Sequence, residues 1–313
     1  MSCDGLSDGP VAKAYDHTAL KYRAFYITDL CHSGGMTPDI FMIVLFAALM
    51  HAVWNAVVKG ATDRTITFGL VSVGHTIPAI IIAPFVPLPD PALLPFIAAS
   101  TVIHWGYYYF LNTSYRFGDL SLVYPVARGI APLLVAVLAF IWLGEALPAM
   151  AWAGMICISA GILILGMRRA GKGPPVPALI MALLTGGTIA LYSLVDGVGI
   201  RLADQALTYI VWLFIAEGFV ILYIFLPRGD RLRAQTRRQI MIGLVGGILS
   251  ALAYALALYA KSKAPLGMVS ALRETSVIFA AMIGLIWFGE GPVRPRLIAA
   301  GMVALGIVML AVA

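Results

Sequence analysis

Ten long apolar runs, at approximately 38–58, 66–87, 93–114, 119–143, 148–167, 177–199, 207–226, 238–260, 265–288 and 296–313, make up most of the chain beyond residue 36. Each is close to the roughly 20 residues a helix needs to cross a hydrocarbon layer about 30 Å thick. The apolar–polar alternation of a membrane-spanning barrel is absent. The pattern predicts an all-α integral membrane protein with ten transmembrane helices.

Polar residues inside these runs recur at helical spacing. In the first, His51, Trp54, Asn55 and Lys59 share one face, with Lys59 at the end. Thr101, His104, Tyr108, Asn112 and Tyr115 fall within a narrow arc of the third, and Thr185, Thr188, Tyr192 and Asp196 do so in the sixth. Ser250 and Tyr254 lie one turn apart in the eighth. Facing lipid, these hydroxyls and imidazoles would go unsatisfied. The stripes therefore face inward, either lining a cavity or hydrogen-bonding helix to helix. Glu217, in the middle of the seventh run, is an intramembrane carboxylate and so a functional candidate. Arg273 or His75 is its expected partner, and its role is either proton coupling or helix pinning.

The apolar hairpin Phe140-Ile141-Trp142-Leu143-Gly144-Glu145 returns as Leu285-Ile286-Trp287-Phe288-Gly289-Glu290, 145 residues later. The same shift lays Tyr109 on Tyr254, Arg116 on Lys261, Arg128 on Arg273, Ala136 on Ala281 and Gly161 on Gly306. A duplicated unit of five helices enters the membrane from opposite sides in its two copies, because five is odd. The expected architecture is two inverted five-helix repeats, residues 37–172 and 173–313, with the substrate site at their interface near the midplane.

Arg128 and Arg273 lie about a third of the way into the fourth and ninth helices, which at about 1.5 Å per residue puts both near the membrane centre. A guanidinium there costs roughly 2.5–3.5 kcal/mol even on the lenient insertion scale, so each needs an interior partner. Three roles stand open: a pair of cationic clamps for an anionic substrate group, a structural ion pair with Glu274 or Glu217, or a gate. Pro125, Gly129 and Pro132 around Arg128 predict a broken or kinked helix. In the second copy Ser270, Arg273, Glu274, Thr275 and Ser276 crowd polar groups into little more than a turn. Gly154, Gly161, Gly166, Gly301 and Gly306 are expected to let the fifth and tenth helices approach closely or rock.

With 61% hydrophobic and only 12% charged residues, the chain lies far from soluble proteins, which carry roughly 25% charged residues. The net charge of +6 belongs to loops and helix ends rather than to a nucleic-acid surface. Cys3, Cys31 and Cys157 share no close spacing, and the five histidines show no metal-ligand pattern, so neither disulfide, metal nor other cofactor is expected. Residues 1–36 are polar and lack a signal-peptide core. They form either a short tail or a segment upstream of a true start at Met36. Lysines and arginines number thirteen in loops opposite the N-terminus and six on its own side, Arg201 and Lys261 among the six. That bias places both termini away from the cytoplasm. The run from Arg228 to Arg238 reads as a cytoplasmic anchor.

The string His51-Ala52-Val53-Trp54-Asn55, the Tyr124-Pro125 turn with Arg128-Gly129, and the Gly-Glu pairs ending the fourth and ninth helices resemble the EamA family of the drug/metabolite transporter superfamily. The likeness covers residues 37–313. It implies ten helices as two inverted repeats, a central cavity and alternating access, with amino acids, sugars, drugs or other metabolites as cargo and proton coupling or exchange common. By position it implies that Trp54, Asn55, Tyr124, Arg128, Ser270, Arg273 and Glu274 contribute to the cavity. Ser270 stands where the first copy has Pro125, and Glu274 where it has Gly129, so the halves need not contribute equally.

The leading expectation is a multi-pass secondary transporter of the cytoplasmic (inner) membrane, acting as a monomer or homodimer on a small anionic or zwitterionic metabolite. It has no enzymatic role and no nucleic-acid partner; membrane lipid surrounds it. Arg128, Arg273, Trp54, Asn55, Tyr124, His104, Tyr108, Tyr192, Tyr254 and Ser270 are the candidate substrate-binding residues. Glu217, Glu274, His51 and His75 are the candidates for proton coupling or ion pairing. A flippase for a lipid-linked substrate is the alternative within transport. A membrane-embedded enzyme acting on a headgroup is the alternative outside it, although no nucleophile elbow or acidic cluster is present.

Overall fold

The computed structural model describes residues 35–59, 61–117, 120–167, 176–288 and 293–313. The tail through residue 34, the Gly289-Glu290 pair, and the basic residues Arg168, Arg169 and Lys172 lie outside the described residues, as do the side chains of Arg116, Tyr124, Trp287, Arg294 and Arg296. Among the described residues the chain is all-helical, without strands.

The α-helices run α1 (Pro38–Val58), α2 (Arg64–Ile82), α3 (Leu94–Phe117), α4 (Leu120–Leu143), α5 (Ala149–Met167), α6 (Val176–Leu202), α7 (Ala206–Glu217), α8 (Val220–Phe225), α9 (Gly229–Arg233), α10 (Arg237–Lys261), α11 (Leu266–Arg273), α12 (Ser276–Phe288) and α13 (Val293–Ala311). Local chemistry sets their ends. Pro38 opens α1 where its missing N–H is not needed. Asp63 caps α2 by accepting from Ile66 N–H (3.1 Å), and Thr236 forms a reciprocal capping box with Gln239 on α10. Gly144 ends α4 at φ +71°, a left-handed turn that only glycine adopts cheaply, and Glu145 N–H then reaches back to Ala139 O (3.2 Å).

Seven stretches among the described residues are long and apolar enough to cross a membrane, and Ala149–Ile164 and Leu297–Ala311 are apolar but shorter. α3 is not among the seven, because its histidine, tyrosines and proline dilute an otherwise apolar run. These helices make the chain a multi-pass membrane protein.

The expected break beside Arg128 does not occur. α4 continues through Pro125 and Pro132, held between α5, α6 and α11. The interruption lies in the ninth segment, which has no proline. There Glu274 N–H and Thr275 N–H take short bonds to Ala271 O (3.1 Å) and Leu272 O (3.2 Å), separating α11 from α12. The seventh segment breaks as well, after Glu217, where Gly218 leaves room for Thr76 of α2 and the Thr76 hydroxyl donates to Phe214 O (3.3 Å).

α5 packs along α13, α3 and α4 along α6, and α1 and α2 along α10, while α11 crosses both α4 and α1. Gly154 and Gly306 face each other, since a Cβ on Gly154 would stand 2.9 Å from Gly306 O. Gly301, grouped with them in sequence, has no atom within 4 Å of a Cβ and makes no such approach.

Candidate functional site

The break between α11 and α12 presents two adjacent residues to different partners. Glu274 accepts from Arg128 Nη1 at 2.7 Å, with both side chains buried. Arg128 Nη2 lies 2.6 Å from His51 Nε2 on α1, and Trp54 Nε1 lies 3.2 Å from His51 Nδ1. Arginine and indole are both donors only, so the ring meets donors at both nitrogens and a neutral imidazole can accept at just one of them. Asn55 is not part of this constellation, because its amide turns back to His51 O (2.7 Å).

Arg273 is treated differently. It is 8% exposed, its guanidinium sits 5.0 Å from the centre of the Tyr254 ring, and its Nε is buried without a hydrogen-bond partner. Among the described residues no carboxylate pairs with it. Glu274 Oε2 is likewise buried and unpartnered. Arg128 and Arg273 are both within electrostatic reach of His51 and Tyr192, so the two guanidinium groups face the same interior region. Ser270, three residues before Arg273, is half-buried on α11.

An aromatic cluster adjoins this centre. His104 stacks on Tyr192 (4.0 Å) and meets Tyr254 edge-on (5.8 Å), while Tyr107 and Tyr108 continue the cluster toward Phe68. Glu217 approaches His104 Nδ1 at 3.2 Å, which corrects the expected pairing with Arg273 or His75. His75 instead packs on Phe214 (5.1 Å), one turn before Glu217, and its Nε2 is unpartnered. The reason is register, since α2 and α3 both pack on α7 and α3 brings its histidine to the carboxylate. The Nδ1 proton of His104 points to Ser100 O (2.9 Å), which leaves Glu217 Oε1 near the ring but unbonded. Tyr124 belongs to α4, but its side chain lies outside the described residues.

A second buried polar cluster extends beyond the candidate residues read from sequence, which included Tyr254 but not Asp196, Tyr209, Glu145, Arg201 or Lys261. Asp196, fully buried on α6, accepts from Tyr209 OH (3.0 Å) and from Tyr254 OH. Arg201 and Lys261, assigned to loops from sequence, are interior. Arg201 binds Glu145 (2.9 Å), Lys261 O (2.7 Å) and Ala264 O (2.7 Å), and Glu145 also accepts Leu266 N–H (3.0 Å). Lys261 is 1% exposed. Both basic residues sit at helix ends, where snorkelling is the usual outcome, so hydropathy could not separate them from anchors. The repeated Gly-Glu pair was the available signal, since glycine turns the chain and the glutamate then folds inward to Arg201. Among the described residues no three His, Cys, Asp or Glu side chains are grouped to hold a metal.

Residues 176–312 match the EamA-like transporter family, part of the drug/metabolite transporter superfamily, whose members are transporters rather than enzymes. A crystal structure of a protein superimposes at a TM-score of 0.71 with 16% identity, covering 87% of this chain and 98% of that one. At that identity the likeness shows the fold alone. No curated protein matches the chain.

Proposed function

We propose, from the match of residues 176–312 to the EamA-like transporter family, that this multi-pass membrane protein is a secondary transporter of the cytoplasmic membrane. Its cargo is a small anionic or zwitterionic metabolite, moved by alternating access with proton coupling. The observation that carries this reading is Arg273, a buried guanidinium without a carboxylate partner among the described residues, beside an Arg128 that is ion-paired with Glu274. An interior cation with no directly paired anion leaves donors for a bound anion to complete. Tyr254 and Tyr192 supply the adjoining apolar and hydrogen-bonding wall.

Two inverted five-helix repeats, 37–172 and 173–313, are part of the proposal. The family match begins at residue 176, close to the second repeat. The packed pairs α3–α6 and α1–α10 exchange when each segment is replaced by the one five spans away, as do α4–α6 and α12–α1. Such exchange is what a pseudo-two-fold axis relating the halves requires. Nothing in the site favours a flippase or a headgroup enzyme.

The test is uptake by proteoliposomes of L-glutamate, succinate, gluconate and inorganic phosphate, with and without a pH gradient. Saturable uptake of one of these, lost in Arg273→Gln, is expected. Absence of flux for all four, with turnover of a lipid headgroup instead, would overturn the reading.

A further inference from the structure

Two basic side chains share one aromatic ring. Arg273 Cζ lies 5.0 Å and Lys261 Nζ 5.9 Å from the centre of Tyr254, whose hydroxyl is bound to Asp196. Lys261 is fully buried, forms no ion pair among the described residues, and has one long hydrogen bond, to Ser193 O at 3.4 Å. An ammonium has three donors to satisfy, and a buried lysine so poorly partnered exchanges its proton rather than serving as a fixed charge. Glu274 is paired with Arg128 and Glu217 lies beside His104, whereas Lys261 has no carboxylate at ion-pair distance among the described residues.

The charges around it can be balanced group by group. Asp196 and Arg201 on α6 and Arg273 on α11 are the ionised groups in electrostatic reach of Lys261. Arg201 is neutralised by Glu145, from the turn after α4. Tyr209 of α7 donates to Asp196, while His51 of α1 and His75 of α2 are engaged by Arg128 and Phe214. Within this set the negative charge on Asp196 and the positive charge on Arg273 cancel when Lys261 is neutral. When a monoanion sits on Arg273, the sum cancels only if Lys261 carries a proton. Uncompensated charge is expensive in a buried site, so the two occupancies favour each other.

Resting on the transporter reading above, we infer that Lys261 is a proton-binding site linked through Tyr254 and Asp196 to anion binding at Arg273, so that the anion and a proton are carried together. Linkage makes the effect reciprocal, and the proton strengthens anion binding as the anion strengthens proton binding. Arg201 grips the Lys261 carbonyl, which fixes the last turn of α10 where the Lys261 side chain sits.

The test uses the purified full chain in weakly buffered detergent solution with a pH indicator. L-Glutamate, succinate, gluconate and inorganic phosphate are added as probes, and binding is followed by thermal stabilisation. A probe that stabilises wild type but not Arg273→Gln should be bound with proton uptake, and its affinity should weaken roughly five-fold or more as pH rises through the titration of Lys261. In Lys261→Met the uptake and the pH dependence should both disappear; Lys261→Arg, which keeps a permanent charge, should lose them too and serves if the methionine variant does not fold. Arg273-dependent binding without proton uptake, or uptake unchanged in both variants, overturns the linkage while leaving the carrier reading intact. No Arg273-dependent binding of any probe overturns both.

Discussion

Removing Arg128 leaves the Glu274 carboxylate buried and unpaired, whereas removing Arg273 leaves no ionic partner behind. Breaking a buried pair by deleting one member costs about 3–5 kcal/mol. Arg128→Gln is therefore expected to lower the thermal unfolding temperature and the folded yield in detergent, and Arg128→Gln with Glu274→Gln to recover part of that loss. Arg273→Gln is expected to abolish anion-dependent stabilisation without comparable loss of folded yield. Similar melting curves for the two single variants would contradict this division. At the surface, Asp63 caps α2 and also takes two hydrogen bonds from Arg231 (2.8 and 2.9 Å). Partial burial pushes its carboxyl up, but the bonds from Arg231 and Ile66 outweigh that, and the net shift is downward. Its stabilisation is thus fully present above the ordinary carboxylate range, near pH 4, and fades as pH falls through the lower folded-state value. Asp63→Ala should cost about 1 kcal/mol at neutral pH, mostly through the lost cap. The gap to wild type in a denaturation series should close in acid.

Among the elements, α5 and α13 touch through glycine, and rigid crossing there depends on the absence of side chains. Gly306→Leu would drive a side chain into Gly154 O and Ile158, with an overpacking cost of about 1–3 kcal/mol. Gly301→Ala, with open space around it, should be neutral or mildly stabilising because alanine is the better helix former. Thermal melts of the two variants distinguish this arrangement from one in which the whole glycine stripe packs. The ninth segment shows how little element continuity follows from proline content. α4 tolerates Pro125 and Pro132, while the proline-free stretch at Glu274-Thr275 is interrupted. Proline removes one hydrogen bond at a known place, but whether the helix breaks depends on how firmly its neighbours hold both sides.

At the scale of the molecule, Glu145 and Arg201 tie the end of α4 to the ends of α6 and α10 and the start of α11. The tie joins the two proposed repeats and is almost fully buried, as a closed gate would be. Glu145→Gln should loosen it. A cysteine at Ala264, buried and bound through its carbonyl to Arg201, should then react faster with a maleimide, in a background lacking Cys3, Cys31 and Cys157. Unchanged labelling would show that the tie is structural and not a gate. The proposed repeat does not extend to every residue: Tyr109, aligned with the buried Tyr254, is 66% exposed.

Hydrophobic patterning alone determined that this is a helical multi-pass membrane protein, since a run of about 20 apolar residues has no other stable fate. The 145-residue repeat singled out Arg128 and Arg273, because a charge maintained in both copies of an apolar segment must be held inside. Only the tertiary structure decided which guanidinium carries the ion pair, that Glu217 meets His104 and not Arg273 or His75, and that the Lys261 and Arg201 side chains are interior. Those outcomes depend on the rotation and depth of each helix against its neighbours. Periodicity says which residues share a face, but not which face of another helix they will meet.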